Sequence, residues 1–278
     1  MQTLTTRDGL SLVRHDWAAA GAPRGRVLIV HGLGEHGGRY AELAAALNDD
    51  GWQVHAHDQR GHGRSGGPRG ALPHAVALLE DLAQVIDSLP TGGPLVLLGH
   101  SMGGLVAARF VAEVLGDGSA AAWSRTPAAL VLSSPALDAG LGRWQRLQLA
   151  LGMAMAPDRA VGNGLRPAWI SRDPQIVRAY EADALVHDRI TPRLARFIVD
   201  GGTLVRARAD RWQVPTLLMW AGADRCVAPA GSAAFAAAAP PEVLQARAWP
   251  GLFHEIFNEP ERAEVVAALL GWLAVDRR

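Results

Sequence analysis

Leu95-Val96-Leu97-Leu98-Gly99-His100-Ser101-Met102-Gly103-Gly104-Leu105-Val106 runs from an apolar segment into a glycine-flanked serine and out into a second apolar segment. The second segment continues through Ala107, Ala108, Phe110, Val111 and Leu115, which suits a helix. Strand, very tight turn and helix are therefore expected in that order. The turn fits the Gly-x-Ser-x-Gly nucleophile elbow. Gly99 and Gly103 carry no Cβ, so strand and helix can approach closely on either side of it. Ser101 is then held in a strained conformation with its hydroxyl clear of the sheet. Met102 opens the helix, where backbone N–H groups are unpaired and the dipole favours negative charge. On its own the pentapeptide also fits a glycine-rich strand-to-helix turn with an incidental serine. The rest of the chain must supply a base, an acid and donors for an oxyanion.

Outward from the elbow, the pattern repeats. Arg26 to Val30 is a short apolar strand ending in the glycine-rich loop His31-Gly32-Leu33-Gly34-Glu35-His36-Gly37-Gly38-Arg39-Tyr40. A helix from about Tyr40 to Asp50 follows, with Gly51 as its stop. Trp52 to His57 reads as a strand opening into Asp58-Gln59-Arg60-Gly61-His62-Gly63-Arg64-Ser65. Residues from about His74 to Ser88 form an amphipathic helix, and Ala128 to Leu132 another buried strand. At the N-terminus, Asp8-Gly9 between two strand-like runs signals a hairpin. Strands alternating with helices imply a mostly parallel sheet covered on both faces.

The alternation stops after Pro135. Residues 136–205 show amphipathic helical patterns instead, from Leu141 to Met155 and from Pro192 to Val199, with Thr191 as an N-cap before a proline. It resumes at Thr216 to Gly222 and Val243 to Trp249, and a last helix runs from about Pro260 to Val275. The expected division is a core of residues 1–135 and 206–278, with 136–205 inserted as a helical cap over the carboxyl ends of the strands, where ligands bind in such sheets. Leu141, Trp144, Leu147, Leu151 and Met155 fall near one helical face. Such a stripe ordinarily packs into a core. The other reading is an apolar lid that lines an acyl tunnel or touches a lipid surface.

Composition narrows the function classes. Of 278 residues, 49% are hydrophobic and 19% charged, as expected of a globular chain. Formal net charge is zero, which argues against nucleic acid as a partner. All 27 basic residues are arginine, which reads as the coding bias of a bacterial genome. A single cysteine, Cys226, leaves no internal disulfide; it is expected to be a buried small hydrophobe. No signal peptide and no membrane span of about 20 apolar residues is apparent. A cytoplasmic protein is expected.

A serine hydroxyl needs a histidine to take its proton and a carboxylate to orient that histidine. With the nucleophile in such an elbow, the partners follow in chain order Ser, Asp or Glu, His. Only His187 and His254 lie beyond Ser101. His187 falls in the insertion, and His254 just past the last strand, so His254 is the expected base. Asp224, in Ala221-Gly222-Ala223-Asp224-Arg225, follows a buried strand and is the expected acid. The oxyanion donors are expected to be the N–H of Met102 and that of Leu33, from the loop after the Val27–Val30 strand. His31 and His36 lack a third ligand at suitable spacing, so no metal is expected, and no cofactor.

These segments resemble the α/β-hydrolase superfamily, and within it the monoacylglycerol lipase and lysophospholipase-like group. The resemblance rests on His31 to Tyr40, Asp58 to Ser65, Gly99 to Gly104, Gly222 to Arg225 and Gly251-Leu252-Phe253-His254-Glu255, which span nearly the whole core. It implies the α/β-hydrolase fold with a lid, the triad Ser101, Asp224 and His254, and the oxyanion hole of Leu33 and Met102. It also implies that Glu35 and Arg39 receive a glycerol head group; an ion pair that merely holds their loop is the alternative. The function implied is a cofactor-free serine esterase on a monoacylglycerol. A lysophospholipase and a short- or medium-chain carboxylesterase are the nearest rivals; a peptidase, a thioesterase and a non-catalytic binding module on the same fold stand further off. A small lipid ester is the expected partner, with the cap as a candidate for transient contact with a membrane surface. The sequence leaves the oligomeric state open.

Overall fold

Buried parallel strands read as unbroken apolar runs, and the runs seen in the sequence become the centre of one sheet. The computed structural model describes residues 1–115 and 121–275. The chain begins with β1 (Gln2–Thr5), β2 (Ser11–Trp17), β3 (Gly25–Val30), α1 (Ala41–Asp49), β4 (Trp52–His57) and α2 (Ala77–Asp87). The elbow region gives β5 (Leu95–His100) and α3 (Met102–Ala112), followed by β6 (Ala129–Ser133). Then come α4 (Arg143–Met155), β7 (Val161–Gly162), α5 (Pro174–Ala182), β8 (Arg189–Ile190) and α6 (Pro192–Ala207). The chain closes with β9 (Thr216–Ala221), α7 (Pro229–Ala238), β10 (Leu244–Trp249) and α8 (Arg262–Leu273).

Eight strands form one sheet in the order β1-β2-β4-β3-β5-β6-β9-β10. From β4 to β10 all neighbours are parallel, and β2 is antiparallel to both of its partners. The Asp8-Gly9 hairpin forms with Gly9 at φ 82°. Alternate side chains of each strand enter opposite cores. Leu28, Val30, Leu97, Leu130 and Leu132 pack with α2, α3, α6 and α7. Val27, Ile29, Val96, Leu98 and Val131 pack with α1 and α8. The order reverses at β3, which pairs with β4 on one side and β5 on the other; the crevice above that point is where such sheets bind ligands.

The segment between β6 and β9 lies over those strand ends. Its residues 170–191 are tied to the loops after β3, β4 and β10. The His187 N–H donates to the Gly34 carbonyl at 2.9 Å, and the Thr191 N–H to that of Gly70 at 2.9 Å. Thr191 caps α6 through its side chain, which accepts from the Leu194 N–H. That helix runs on to Ala207 and buries Leu194, Phe197, Ile198 and Val205 in the same cluster as Leu105 and Phe110. Of the two readings of the Leu141–Met155 stripe, packing into a core is not the one the structure shows. Trp144 is 77% and Met155 82% exposed, Leu147 and Leu151 are also exposed, and α4 buries no residue. Helical periodicity reports an apolar face but not what, if anything, covers it.

Among the described residues, no helix is long and apolar enough to cross a membrane.

Candidate active site

The elbow is built by steric necessity. Ser101 sits at φ 54°, ψ −121°, a conformation that costs a non-glycine residue about 1–3 kcal/mol and persists only where the surroundings hold it. They do so from three sides. The Ser101 N–H donates to the Ser133 carbonyl at 3.0 Å, and its own carbonyl accepts from Leu105 at 3.0 Å and Ala136 at 2.9 Å. A Cβ on Gly99 would lie 2.5 Å from the Gly103 carbonyl oxygen, and one on Gly103 2.0 Å from that of Val30. Both glycines are therefore required for α3 to start this close to β3 and β5.

The three residues expected to form a triad meet. Ser101 Oγ lies 2.8 Å from His254 Nε2, and His254 Nδ1 lies 2.7 Å from Asp224 Oδ2. A carboxylate only accepts, so Nδ1 carries the proton and Nε2 is free to accept from the serine. The other oxygen of Asp224 accepts from the N–H groups of Cys226 at 2.8 Å and Val227 at 3.1 Å, which fixes its rotamer. Burial of His254 disfavours its charge. The charge and hydrogen bond of Asp224, with Glu255 and Glu35 nearby, outweigh this and raise its pKa above the ordinary 6.5.

The N–H groups of Leu33 and Met102 have no hydrogen-bond partner among the described residues. Met102 is the first residue of α3. The loop carrying Leu33 passes directly over the serine, since a Cβ on Gly32 would lie 3.1 Å from that of Ser101. His31, at its root, is occupied at both nitrogens: Nδ1 lies 2.8 Å from the Gly32 carbonyl and Nε2 accepts from the Gln59 N–H at 2.9 Å. His36 pairs with Asp183 at 2.8 Å.

Glu35 and Arg39 are both engaged within the protein. Glu35 Oε1 accepts from the Gly32 N–H at 2.6 Å and the Tyr40 hydroxyl at 2.8 Å, and its Oε2 from Arg39 at 2.7 Å. Arg39 also donates twice to Glu255, at 2.7 and 2.8 Å, and lies over the Tyr180 ring at 4.8 Å. Burial opposes ionisation of both carboxylates, but Arg39 overrides it and holds each below the usual range. Glu35 lines the cavity beside Ser101; Arg39 stands behind it.

Sequence reasoning missed several residues. His100, Tyr180 and Glu255 line the same cavity. His100 Nδ1 lies 3.1 Å from the Ser133 carbonyl and 3.2 Å from the Ser133 hydroxyl, which together hold the ring beside the nucleophile. Burial, then the neighbouring His254, pushes the pKa of His100 down to about 4. Its place beside the nucleophile was the available signal. Tyr180, on α5, gave none. The cap also braces the loop that carries His254. Glu259 accepts from the Phe253 N–H at 3.1 Å and from the backbone and side chain of Arg172, each at 2.5 Å. The Glu255 N–H reaches the Ile170 carbonyl at 2.8 Å.

Ser101 and Leu33 border two cavities of different character. One, of about 700 Å³, holds most of the charged groups, among them Glu35, Arg69, His100 and Glu255, beside apolar Leu33, Leu165, Ile170 and Val186. The other, of about 540 Å³, is walled mainly by Ala136, Leu141, Leu165, Trp169, Ile190, Ile198 and Val199. Cys226 is partly buried and lies on both. Asp224, Cys226 and His254 place potential metal-binding atoms within 4.8 Å of one another. Asp224 and His254 already bond each other, and burial, then Asp224, raises the thiol pKa away from the thiolate a metal requires.

The chain is 34% identical to a monoacylglycerol lipase of Mycolicibacterium smegmatis, over 95% of this chain and 93% of that one. It is 31% identical to phospholipase YtpA of Bacillus subtilis, over 90% and 95% of the two. The crystal structure of the Paleococcus ferrophilus monoacylglycerol lipase superimposes with a TM-score of 0.83 at 33% identity, covering 94% of this chain and 98% of that one. Residues 21–261 match the family described as serine aminopeptidase, S33. The chain is an α/β-hydrolase and belongs to the serine aminopeptidase, S33 family.

Proposed function

We propose that the protein is a serine carboxylic-ester hydrolase that cleaves monoacylglycerols into a fatty acid and glycerol. The observation that carries this reading is the position of Ser101, where a cavity richer in charged groups meets a more apolar one. An ester with a hydrophilic alcohol and a long acyl chain divides its two halves in that way. Each methylene buried on the apolar side contributes about 0.8 kcal/mol. The similarity to monoacylglycerol lipases points to the same substrate.

Ser101 attacks the ester carbonyl while His254 takes its proton and Asp224 holds the imidazole in place. The Leu33 and Met102 N–H groups receive the tetrahedral oxyanion; each such donor contributes about 3–4 kcal/mol in the transition state. His254 then protonates the leaving glycerol and activates the water that releases the fatty acid. Glu35 and Arg39 shape the alcohol side, Glu35 from its wall and Arg39 through Glu35 and Glu255. The exposed apolar face of α4 lies beside the apolar cavity, whose rim includes Leu141 and Gln145, and makes transient contact with the lipid surface that holds the substrate.

The test is a panel of monoacylglycerols and p-nitrophenyl esters of graded chain length, run alongside a fluorophosphonate probe. Labelling at Ser101 with highest kcat/KM on a monoacylglycerol is the expected result. An unlabelled Ser101, or no turnover of any ester, would reject the reading.

A further inference from the structure

A second serine beside the triad is held in a conformation that serine rarely adopts. Ser133, the last residue of β6, pairs with His100 on β5 and Met219 on β9, and β9 runs on to Ala221. The Ser134 N–H donates to the Met219 carbonyl at 2.8 Å. In a parallel ladder the next bond would run from the Ala221 N–H to the Ser134 carbonyl. Ser134 turns away instead, at φ 40°, in the left-handed region that non-glycine residues seldom enter. The Ala221 N–H donates to its Oγ, at 3.2 Å. The hydroxyl thus stands in for the carbonyl and extends the ladder by one rung while the main chain leaves the sheet. A glycine would take this φ without strain, but it would leave the buried Ala221 N–H without that acceptor.

The turn has a partner at each end of the triad. On one side it delivers the Ala136 N–H to the Ser101 carbonyl at 2.9 Å, next to the bond from the Ser101 N–H to the Ser133 carbonyl at 3.0 Å. On the other side it holds the end of β9, three residues before Asp224. The chain between them is gripped from the β10 side, by Gly222 on Trp249 at 2.8 Å and Ala223 on Leu252 at 3.1 Å. The hydroxyl of Ser134 grips it from the β6 side. His254 bridges Ser101 and Asp224 through bonds of 2.8 and 2.7 Å, so any drift of the acid from the nucleophile must lengthen one of them. A misplacement of about 1 Å can cost about 10²-fold in rate. Ser134 lines neither cavity beside Ser101, so substrate does not touch it.

We propose that Ser134 is a positioning residue of the triad, which sets Asp224 at its working distance from Ser101 by supplying its hydroxyl to the end of β9. This rests on the serine-esterase reading above and adds to it a residue that acts through backbone geometry alone.

The test measures S134A, S134G and S134T on a soluble p-nitrophenyl ester, with Tm and fluorophosphonate labelling recorded for each. S134A and S134G should both lose ten-fold or more in kcat, with KM within about two-fold of wild type. S134G, free of the backbone strain, should have the higher Tm of the two and yet be no faster. S134T keeps the hydroxyl but is β-branched at a positive φ, so it should recover most of the lost kcat at a lower Tm than wild type. The pH profile separates positioning from packing. His254 is faced by Asp224, Glu255, Glu35 and His100; burial opposes its charge, and the three carboxylates raise its pKa above 6.5. A loosened Asp224 should therefore move the midpoint of kcat/KM down in S134A and S134G, and S134T should move it back. Wild-type kcat and midpoint in S134G, or an S134T no faster than S134A, overturns the proposal and leaves the esterase reading standing. If S134A does not fold, S134G decides; if neither folds, the hydroxyl is a requirement of folding and the proposal is overturned. A wild type that cleaves no ester and is unlabelled at Ser101 removes the esterase reading itself.

Discussion

Arg39 grips Glu255 through two parallel hydrogen bonds of 2.7 and 2.8 Å, across 216 residues of sequence. Glu255 is the residue after His254, so this clamp fixes the loop of the base to the loop that carries Leu33. Arg39 also neutralises Glu35, and both carboxylates are buried. Removing one partner from a buried pair costs about 3–5 kcal/mol, because the remaining charge stays unpaired. R39A should therefore lose stability of that order, a fall in Tm of roughly 10 °C, since each kcal/mol shifts a domain of about this size by a few degrees. Calorimetry checks it. A loss under 1 kcal/mol would mean that the clamp is not maintained in solution.

S101A should retain the fold, since the backbone of residue 101 is pinned by three hydrogen bonds that do not use the hydroxyl. Loss of the nucleophile should lower kcat on the order of 10⁶-fold. Circular dichroism and ester turnover measured together separate the two effects. Residual turnover within 100-fold of wild type would point to another nucleophile.

The raised pKa of His254 sets a pH dependence with two opposite signs. As a base it must be neutral, so kcat/KM should rise with pH through a midpoint above 6.5. In stability, a raised histidine pKa favours the folded state fully below the unfolded value near 6.5, and that contribution disappears as pH rises through the folded value. D224N should move the kinetic midpoint down and lower kcat by about 10⁴, as loss of the orienting carboxylate does in other triads. An unmoved midpoint would assign the limb to another group.

The strands and the triad were legible in the sequence for physical reasons. Buried parallel strands such as β5 and β6 must be apolar on both faces, and a strained serine must be flanked by residues without a Cβ. Asp224 and His254 followed from chain order taken together with their places just past strands. What stayed hidden depends on pairing across the chain. Nothing local marks Glu255 as the partner of Arg39, or Arg172 as a brace for the His254 loop. The Leu141–Met155 periodicity was visible, but a period does not say whether a face meets protein or solvent.

Three buried or half-buried histidines titrate in the opposite direction from His254. Burial is the leading cause for each, lowering His57 to about 3 and His100 and His187 to about 4. A lowered histidine pKa gives stability that is present above the unfolded value and lost as pH falls through the folded one. The urea midpoint should therefore decline between about pH 6.5 and 4, and H187Q should decline less steeply than wild type. A flat wild-type profile over that interval would contradict the burial of these rings.

Gly34 links the oxyanion loop to the cap, and its replacement separates strain from contact. Its φ is 81°, and a Cβ there would lie 2.3 Å from the His187 carbonyl oxygen. Gly9 has nearly the same φ of 82° with nothing within 4 Å. Both G34A and G9A carry the backbone penalty of about 1–3 kcal/mol. Only G34A must also displace the cap or the loop that presents the Leu33 N–H. Loss of one oxyanion donor costs about 10²–10³ in kcat. G34A should thus lose at least ten-fold in kcat, and G9A none.

The exposed face of α4 gives the last prediction. Trp144, Leu147, Leu151 and Met155 face solvent together, with Arg143 and Arg146 near the start of the helix. Full burial of one such side chain is worth about 1.5–3 kcal/mol, and arginine is attracted to anionic lipid surfaces over roughly a Debye length. W144S with L147S should weaken binding to anionic vesicles about ten-fold or more. Their removal should slow hydrolysis of long-chain esters dispersed in vesicles but leave a water-soluble short-chain p-nitrophenyl ester unaffected, because α4 buries nothing in the core. Equal losses on both substrates would instead place the stripe in the packing of the cap, and vesicle binding that survives the double substitution would place membrane contact elsewhere on the molecule.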